Sequence, residues 1–462
     1  MLTRLVRLWD RFRGSFWFVP AVCTLLAGLL AVGVPAADSR LGADFAEKSA
    51  WLATTVSAGQ TTVSTIAGAS VTVTGVVFSI TMVTLSLTSS QFGPRLVRTF
   101  MEDTVAQLTL GAFVGTSVYC LLVLRLIRGL EGEAVVPHIS VLVAVGLAVA
   151  DLGLFVYFVH HTAKVVQPSH VVRDVAADLD EAIDRLFPEH AGTPAADLAP
   201  ADRGAGGRLS GPARTVPAPG DGYVQAVDES ALMKAASKYD VTIELLRRPG
   251  EFVAENLPVA RIRPVPAGAA AEKLDEAVRD ALLLGGSRTP RQDLGCAVGE
   301  LTEIAVRALS PGVNDPFTAS QCVDALSATL GRLAARDRPD PHRYDDTDEL
   351  RLVARPITFA EALGQAFDPI RQYCRGSLVV NEDLLRGLGR IAWFVDRPGD
   401  ADAVHRQAAM IVRGAREGLP EPRDVARVER RAAELREALP DFPPPADVAD
   451  EYPTGEAADP AG

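Results

Sequence analysis

Hydrophobic and polar residues are distributed along this chain in two distinct ways. Up to about residue 160 they form long apolar runs, roughly 16–36, 64–88, 104–126 and 139–160. A helix rises about 1.5 Å per residue, so about 20 residues cross a hydrocarbon core of about 30 Å, and each run predicts a membrane-spanning helix. Beyond residue 166 the apolar residues recur at the spacings of amphipathic helices and half-buried strands. The pattern predicts an α-helical membrane protein: four transmembrane helices in 1–165, then a cytoplasmic α+β domain of a small β-rich module plus a helical bundle.

The second run is unusual. Residues 61–90, TTVSTIAGASVTVTGVVFSITMVTLSLTSS, carry no charge, yet nearly half are Ser or Thr. Thr65, Thr72, Ser79 and Ser86 recur every seven residues, and Gly68, Gly75, Met82 and Ser89 share their side of a helix. Thr74, Thr81 and Thr88 project from nearly the opposite side. Acyl chains offer hydroxyls no partner, so at least one of these rows is expected to face protein or water. The first row either permits close helix packing, with hydroxyls bonded back to their own carbonyls, or lines a wet path.

The polar half reads in segments. Residues 166–187 predict an amphipathic connecting helix with Val172, Val175, Leu179, Ile183 and Leu186 on one face. Residues 188–221, rich in Pro, Ala and Gly, predict a flexible linker. The β-rich module, 222–266, has strands at GYVQAVD, VTIELLR, EFV and LPVARI, one short helix after the first, and turns at Pro249-Gly250 and Glu255-Asn256. A mainly helical domain follows over 267–440, at about 268–285, 291–309, 316–336, 358–375, 382–396, 402–417 and 421–438, with a strand near 350–356. The end, 441–462, is predicted to be a disordered acidic tail.

Charge and cysteine usage narrow the class. The net charge of −12 and the lack of a basic stripe disfavour a nucleic-acid partner. Five scattered cysteines form no CxxC or Cys/His cluster, so neither a disulfide framework nor a metal site is predicted, and reduced thiols suit the cytoplasm. Arg4, Arg7, Arg11 and Arg13 precede the first apolar run in the order of a signal peptide, but the run exceeds the usual h-region of about 7–15 residues and predicts a retained span. With Arg95 and Arg98 in the second short loop and Lys164 and Arg173 after the fourth span, basic residues place both ends in the cytoplasm, diluted by Arg125 and Arg128 beside the third.

Candidate chemistry is sparse. Asp293, Glu300 and Arg307 repeat every seven residues on one predicted helix, and Glu303 precedes Arg307 by four. That group could handle a proton, a metal or a phosphate, or be an ordinary ion-paired face. Asn314 and Asp315 follow in a loop where Ser310-Pro311-Gly312 ends one helix and Asp315-Pro316 caps the next. Asp151 sits in the middle of the fourth span, where an ionisable group faces a bundle interior or a water path, here with hydroxyls of the second span as expected contacts. His160-His161 ends that span without an acidic companion in sequence and reads as an interfacial anchor. No GxSxG, GxxxxGK[ST], HExxH or strand-borne GxGxxG occurs, so no cofactor and no enzyme class is implied.

Three phrases, TIAGASVTVTGVVFSITMVTLSLTSSQFGPRLVRTF, IAVRALSPGVNDPFTA and FDPIRQY, resemble a bacterial family of predicted membrane proteins, domain of unknown function 2254. The resemblance implies a multi-span protein of the bacterial cytoplasmic (inner) membrane and carries no catalytic residues.

Two functions fit these readings best, ahead of an enzyme using Asp293, Glu300, Glu303 and Arg307. In the first, a homo-oligomer embedded in the lipid bilayer forms a gated channel, with Thr65, Gly68, Thr72, Gly75, Ser79 and Ser86 along the path and Arg95 and Arg98 at its cytoplasmic mouth. In the second, the spans tether a signalling or scaffolding domain whose soluble partner the sequence does not name.

Overall fold

The computed structural model describes residues 16–48, 55–92, 101, 103–129, 138–165, 167–187, 208–439 and 441–448. Arg95 and Arg98 lie outside the described residues, as do most of the predicted linker and the predicted tail. The chain forms two compact units, divided at His170/Val171.

The first unit is built from α1 (Phe18–Lys48), α2 (Val56–Phe92), α3 (Thr104–Gly129) and α4 (His138–Val165). All four are long and apolar enough to cross a membrane. The helix α3 is the hub: half of its span is buried, against 6% for α1, 17% for α2 and 22% for α4. Its glycines explain the close packing of α1. A Cβ on Gly111 would lie 2.9 Å from Pro20 Cα, and one on Gly115 would lie 3.2 Å from the Cys23 carbonyl oxygen. This is a small-xxx-small contact of the kind that lets apolar helices approach without a hydrophobic driving force. On the other sides of α3, Tyr119, Cys120 and Val123 pack with Val63 and Ala67 of α2 and with Ala144 of α4. The Tyr119 hydroxyl donates to the Ser140 carbonyl at 3.0 Å.

The second unit begins with α5 (Pro168–Leu186), which buries Val172, Val175, Leu179 and Ile183 and leaves Leu186 at the margin. A five-stranded sheet has the order β1 (Arg214–Pro217), β5 (Pro258–Arg263), β3 (Thr242–Leu245), β8 (Leu350–Val353), β7 (His342–Tyr344). Only the β3–β8 pair is parallel. A second sheet has the order β4 (Phe252–Val253), β2 (Gly222–Val227), β6 (Leu282–Gly285) and is antiparallel. The helices α6 (Glu229–Lys238) and α7 (Ala269–Ala281) cover this core through Leu232, Ala236, Leu274 and Val278. The rest is helical: α8 (Leu294–Ala308), α9 (Pro316–Ala335), α10 (Phe359–Tyr373), α11 (Leu378–Ala392), α12 (Pro398–Gly418) and α13 (Pro422–Glu437).

Three local expectations differ from the structure. Residues 214–217, assigned to the linker by composition, form the edge strand β1, because a strand contributing one fully buried side chain, Val216, needs no bulky run. Leu282–Gly285, read as the end of a helix, leaves α7 and pairs with β2; a short apolar run does not distinguish helix from strand until a partner is present. The β-rich module also recruits β6, β7 and β8 from beyond its predicted end at 266. All five cysteines are free, and burial pushes the Cys322 and Cys374 thiols up to about 12.

Candidate functional site

Two arrangements stand out, one in each unit. On α2 the two hydroxyl rows face opposite ways. Thr65, Gly68, Thr72, Gly75, Ser79 and Ser86 are all exposed, and nothing lies within 4 Å of a Cβ built on Gly68 or Gly75. Thr74 and Thr81 are half-buried and Thr88 is fully buried against the unit. Several of the hydroxyls bond back to their own helix: Thr65 donates to the Thr61 carbonyl at 2.7 Å, Thr72 to Gly68 at 3.0 Å and Thr81 to Val77 at 2.8 Å, whereas the buried Thr88 Oγ1 has no partner among the described residues. Thr65 and Thr72 therefore satisfy their donors within their own helix, and the stripe presents a small, hydroxyl-lined face that no other part of the described unit covers.

Asp151 is buried at 4% exposure, and its hydrogen-bond partner lies on α3 rather than on the second span. It hydrogen-bonds Thr116, and its Oδ2 has no hydrogen-bond partner among the described residues. Thr116 and Cys120 of α3 lie beside Asp151, whereas α2 meets α4 elsewhere, through Val77 against Phe158. His161 does have an acidic companion, distant in sequence: its Nε2 lies 3.2 Å from Asp103 Oδ1, and its ring stacks on Tyr157.

The predicted polar cluster of the second unit does not converge. Asp293 and Asp315 cap opposite helices: the first accepts from Cys296 N at 3.0 Å at the start of α8, the second from Phe317 and Thr318 N at 3.1 Å at the start of α9. The 15 residues of α8 hold them about 22 Å apart. Glu303 and Arg307 form an i,i+4 pair at 3.1 Å, and Glu300 is half-buried on the same helix. Asn314 takes a left-handed conformation, φ 48°, in the turn between α8 and α9.

Asp293 instead enters a cavity of about 480 Å³ that the sequence reading did not foresee. Six arginines, Arg185, Arg247, Arg248, Arg288, Arg343 and Arg355, line it against three carboxylates. They come from the end of α5, the turn after β3, the segment before α8, β7 and the segment after β8. Arg288 makes a two-pronged bond to Asp293, 2.7 and 2.9 Å, and Arg248 another to Glu361, 2.9 and 3.1 Å. These pairings hold the Arg288 and Arg248 guanidiniums charged and keep Glu361 below the usual carboxylate range. The Gln292 amide fixes the floor by bonding both the N–H and the carbonyl of Val227, at 2.7 and 3.2 Å. Gly250 is required for closure: its φ is +91°, and a Cβ there would sit 2.2 Å from Asp293 Oδ2.

The remaining arginines are less committed. Arg247 has its Nε buried without a hydrogen-bond partner and lies 3.7 Å from Glu251. Arg343 approaches Glu229 at 3.5 Å, while Arg355 is exposed and has no ion pair or hydrogen bond among the described residues. Guanidinium at neutral pH is neither nucleophile nor base, and every carboxylate of the lining has an arginine beside it.

A family model described as "Predicted membrane protein (DUF2254)" matches residues 13–390. The chain belongs to the DUF2254 family. Uncharacterized proteins of Mycobacterium bovis and Mycobacterium tuberculosis are similar to it, each 32% identical over 365 residues, covering 78% of this chain and 68% of the relative. No solved structure matches. The DUF2254 match encloses all four candidate spans and every residue of the arginine-lined cavity, and ends within α11. This is a predicted membrane protein with four candidate spans.

Proposed function

We propose that this DUF2254 protein is a subunit of a homo-oligomeric gated channel in the bacterial cytoplasmic membrane. Both ends face the cytoplasm, as the basic residues of its short loops suggest. One observation carries the reading: the Thr65–Thr72–Ser79–Ser86 row, with Gly68 and Gly75, is exposed, whereas Thr74, Thr81 and Thr88 are turned toward the unit. A second copy meeting this face would find no side chain larger than Thr at those six positions. Hydroxyls left between copies would line a polar path, with Arg95 and Arg98 at its cytoplasmic mouth. Cysteines introduced at Thr72 and Ser79 should cross-link between copies in native membranes, and cysteines at Thr74 and Thr81 should not. In planar bilayers, Ser79→Leu should reduce conductance. Failure to cross-link, together with labelling of Ser79→Cys by lipid-phase reagents alone, rejects the channel.

The alternative, a membrane tether for a soluble domain that binds a partner, has its own observation. The Thr65 and Thr72 hydroxyls are satisfied by their own helix and do not require water. On that reading substitutions along the stripe are nearly neutral, and deletion of residues 171–462 abolishes the cellular phenotype.

A further inference from the structure

The arginine-lined cavity of the second unit has a ligand chemistry of its own, independent of whether α2 lines a path. We propose that it binds a small organic phosphate of nucleotide size. Three features argue for this. The first is charge: six arginines line the cavity against three carboxylates, and even with Glu361 and Glu181 bonded to Arg248 and Arg185 the arginines outnumber their partners, in a chain whose net charge is −12. The second is commitment. Arg248 and Arg288 are locked by two-pronged bonds to Glu361 and Asp293 and act as a rigid wall. Arg247 and Arg355 keep donors unused, including a buried Nε that no acceptor among the described residues reaches. An unmade bond at a buried donor is costly, and an incoming anion oxygen removes that cost. The third is shape: about 480 Å³ lies in the usual range for small-molecule sites, and Phe187, Leu245 and Ile357 supply apolar wall beside the guanidiniums.

The class follows from the same features. Guanidinium forks match both carboxylate and phosphate, but a local excess of positive charge favours the more highly charged group. The apolar wall calls for an organic part that inorganic phosphate lacks. A partly open pocket of about 480 Å³ fits a small molecule better than a nucleic-acid duplex or a peptide helix, since a helix alone is about 10 Å across.

Isothermal titration of the full-length protein in zwitterionic nanodiscs tests the assignment, with ADP, pyrophosphate, adenosine and citrate as probes. ADP should bind once per chain, more tightly than pyrophosphate, and its affinity should fall as salt is raised. Arg355→Ala and Arg247→Ala should each weaken ADP by about tenfold, the effect of losing one charge-assisted bond. Arg355 has no partner among the described residues, so Arg355→Ala is expected to melt with the parent protein and remains informative if Arg247→Ala misfolds. Arg431→Ala, on α13 outside the cavity, should leave binding unchanged. The proposal is overturned by no saturable ADP binding up to about 1 mM, by citrate binding more tightly than ADP, or by affinity indifferent to Arg355. Nanodiscs containing phosphatidylglycerol separate the sources of phosphate: loss of ADP binding there would assign the cavity to a lipid headgroup and overturn a soluble ligand.

Discussion

At the scale of single residues, Asp293 shows how one side chain serves two structures. Its carboxylate caps α8 through Cys296 N and pairs with Arg288, and the Gly250 turn closes against it. Removing a cap costs about 0.5–2 kcal/mol, and removing one partner of a buried ion pair costs about 3–5 kcal/mol. Arg288 is partly exposed, so the low end applies: Asp293→Ala should destabilise the second unit by about 3 kcal/mol in chemical denaturation. Asp293→Asn keeps the cap and loses the charge, so it should cost clearly less; equal losses for the two variants would mean that the cap contributes nothing. Gly250→Ala combines a left-handed φ with a contact no real Cβ makes, and should cost about 2 kcal/mol or more by the same measurement. Asp293 and Gly250 were both noticed in the sequence, as a helix-face acid and as a turn residue. Their meeting was not legible, because 43 positions separate them and no local spacing encodes the contact.

Among elements, the glycines of α2 and α3 separate two kinds of helix contact. On α3, Gly111 and Gly115 lie directly against α1, and any larger side chain must push the helices apart. Gly115→Leu should lower the melting temperature of the protein in detergent, by an overpacking cost of about 1–3 kcal/mol. On α2, nothing lies within 4 Å of Gly68 or Gly75. Gly75→Leu should leave that melting temperature unchanged while shifting the oligomer distribution in light scattering; a large drop in melting temperature would show that the stripe packs within one chain. The stripe itself was legible, since a helix repeats nearly every seven residues and Thr65, Thr72 and Ser79 fall in register. Which row faces inward was not, because both rows contain the same residue types. The α1–α3 contact went unremarked in the sequence, although Gly111 and Gly115 are spaced as a small-xxx-small pair.

For the whole molecule, acid should dismantle the second unit before the first. Arg248 holds Glu361, and Thr347 with Arg351 holds Asp345, below their ordinary values near 4.5 and 3.8. A carboxyl whose folded-state pKa is depressed stabilises the fold fully above its unfolded value. That contribution is lost as pH falls through the folded one. Far-ultraviolet circular dichroism of the full chain should therefore hold steady above about pH 5 and lose strand and helix signal below about pH 4, with the apolar helices of the first unit retained. Glu361→Gln should flatten part of this dependence, and an acid transition unchanged in that variant would assign it to other groups.

What the sequence determined alone is what depends on near neighbours along the chain. Four runs are long enough to span a bilayer, caps such as Asp315-Pro316 start helices, and the amphipathic face of α5 repeats within 19 residues. Length, periodicity and capping are short-range properties, so they can be read before any partner is known. Tertiary structure decided the rest. It made α3 rather than α2 the hub and gave Asp151 Thr116 as its neighbour. It turned Leu282–Gly285 into a strand by supplying β2. It also gathered arginines from positions 185 to 355 into one cavity. Each of those segments is unremarkable in isolation; a concentrated charge exists only where separate stretches of backbone are packed side by side.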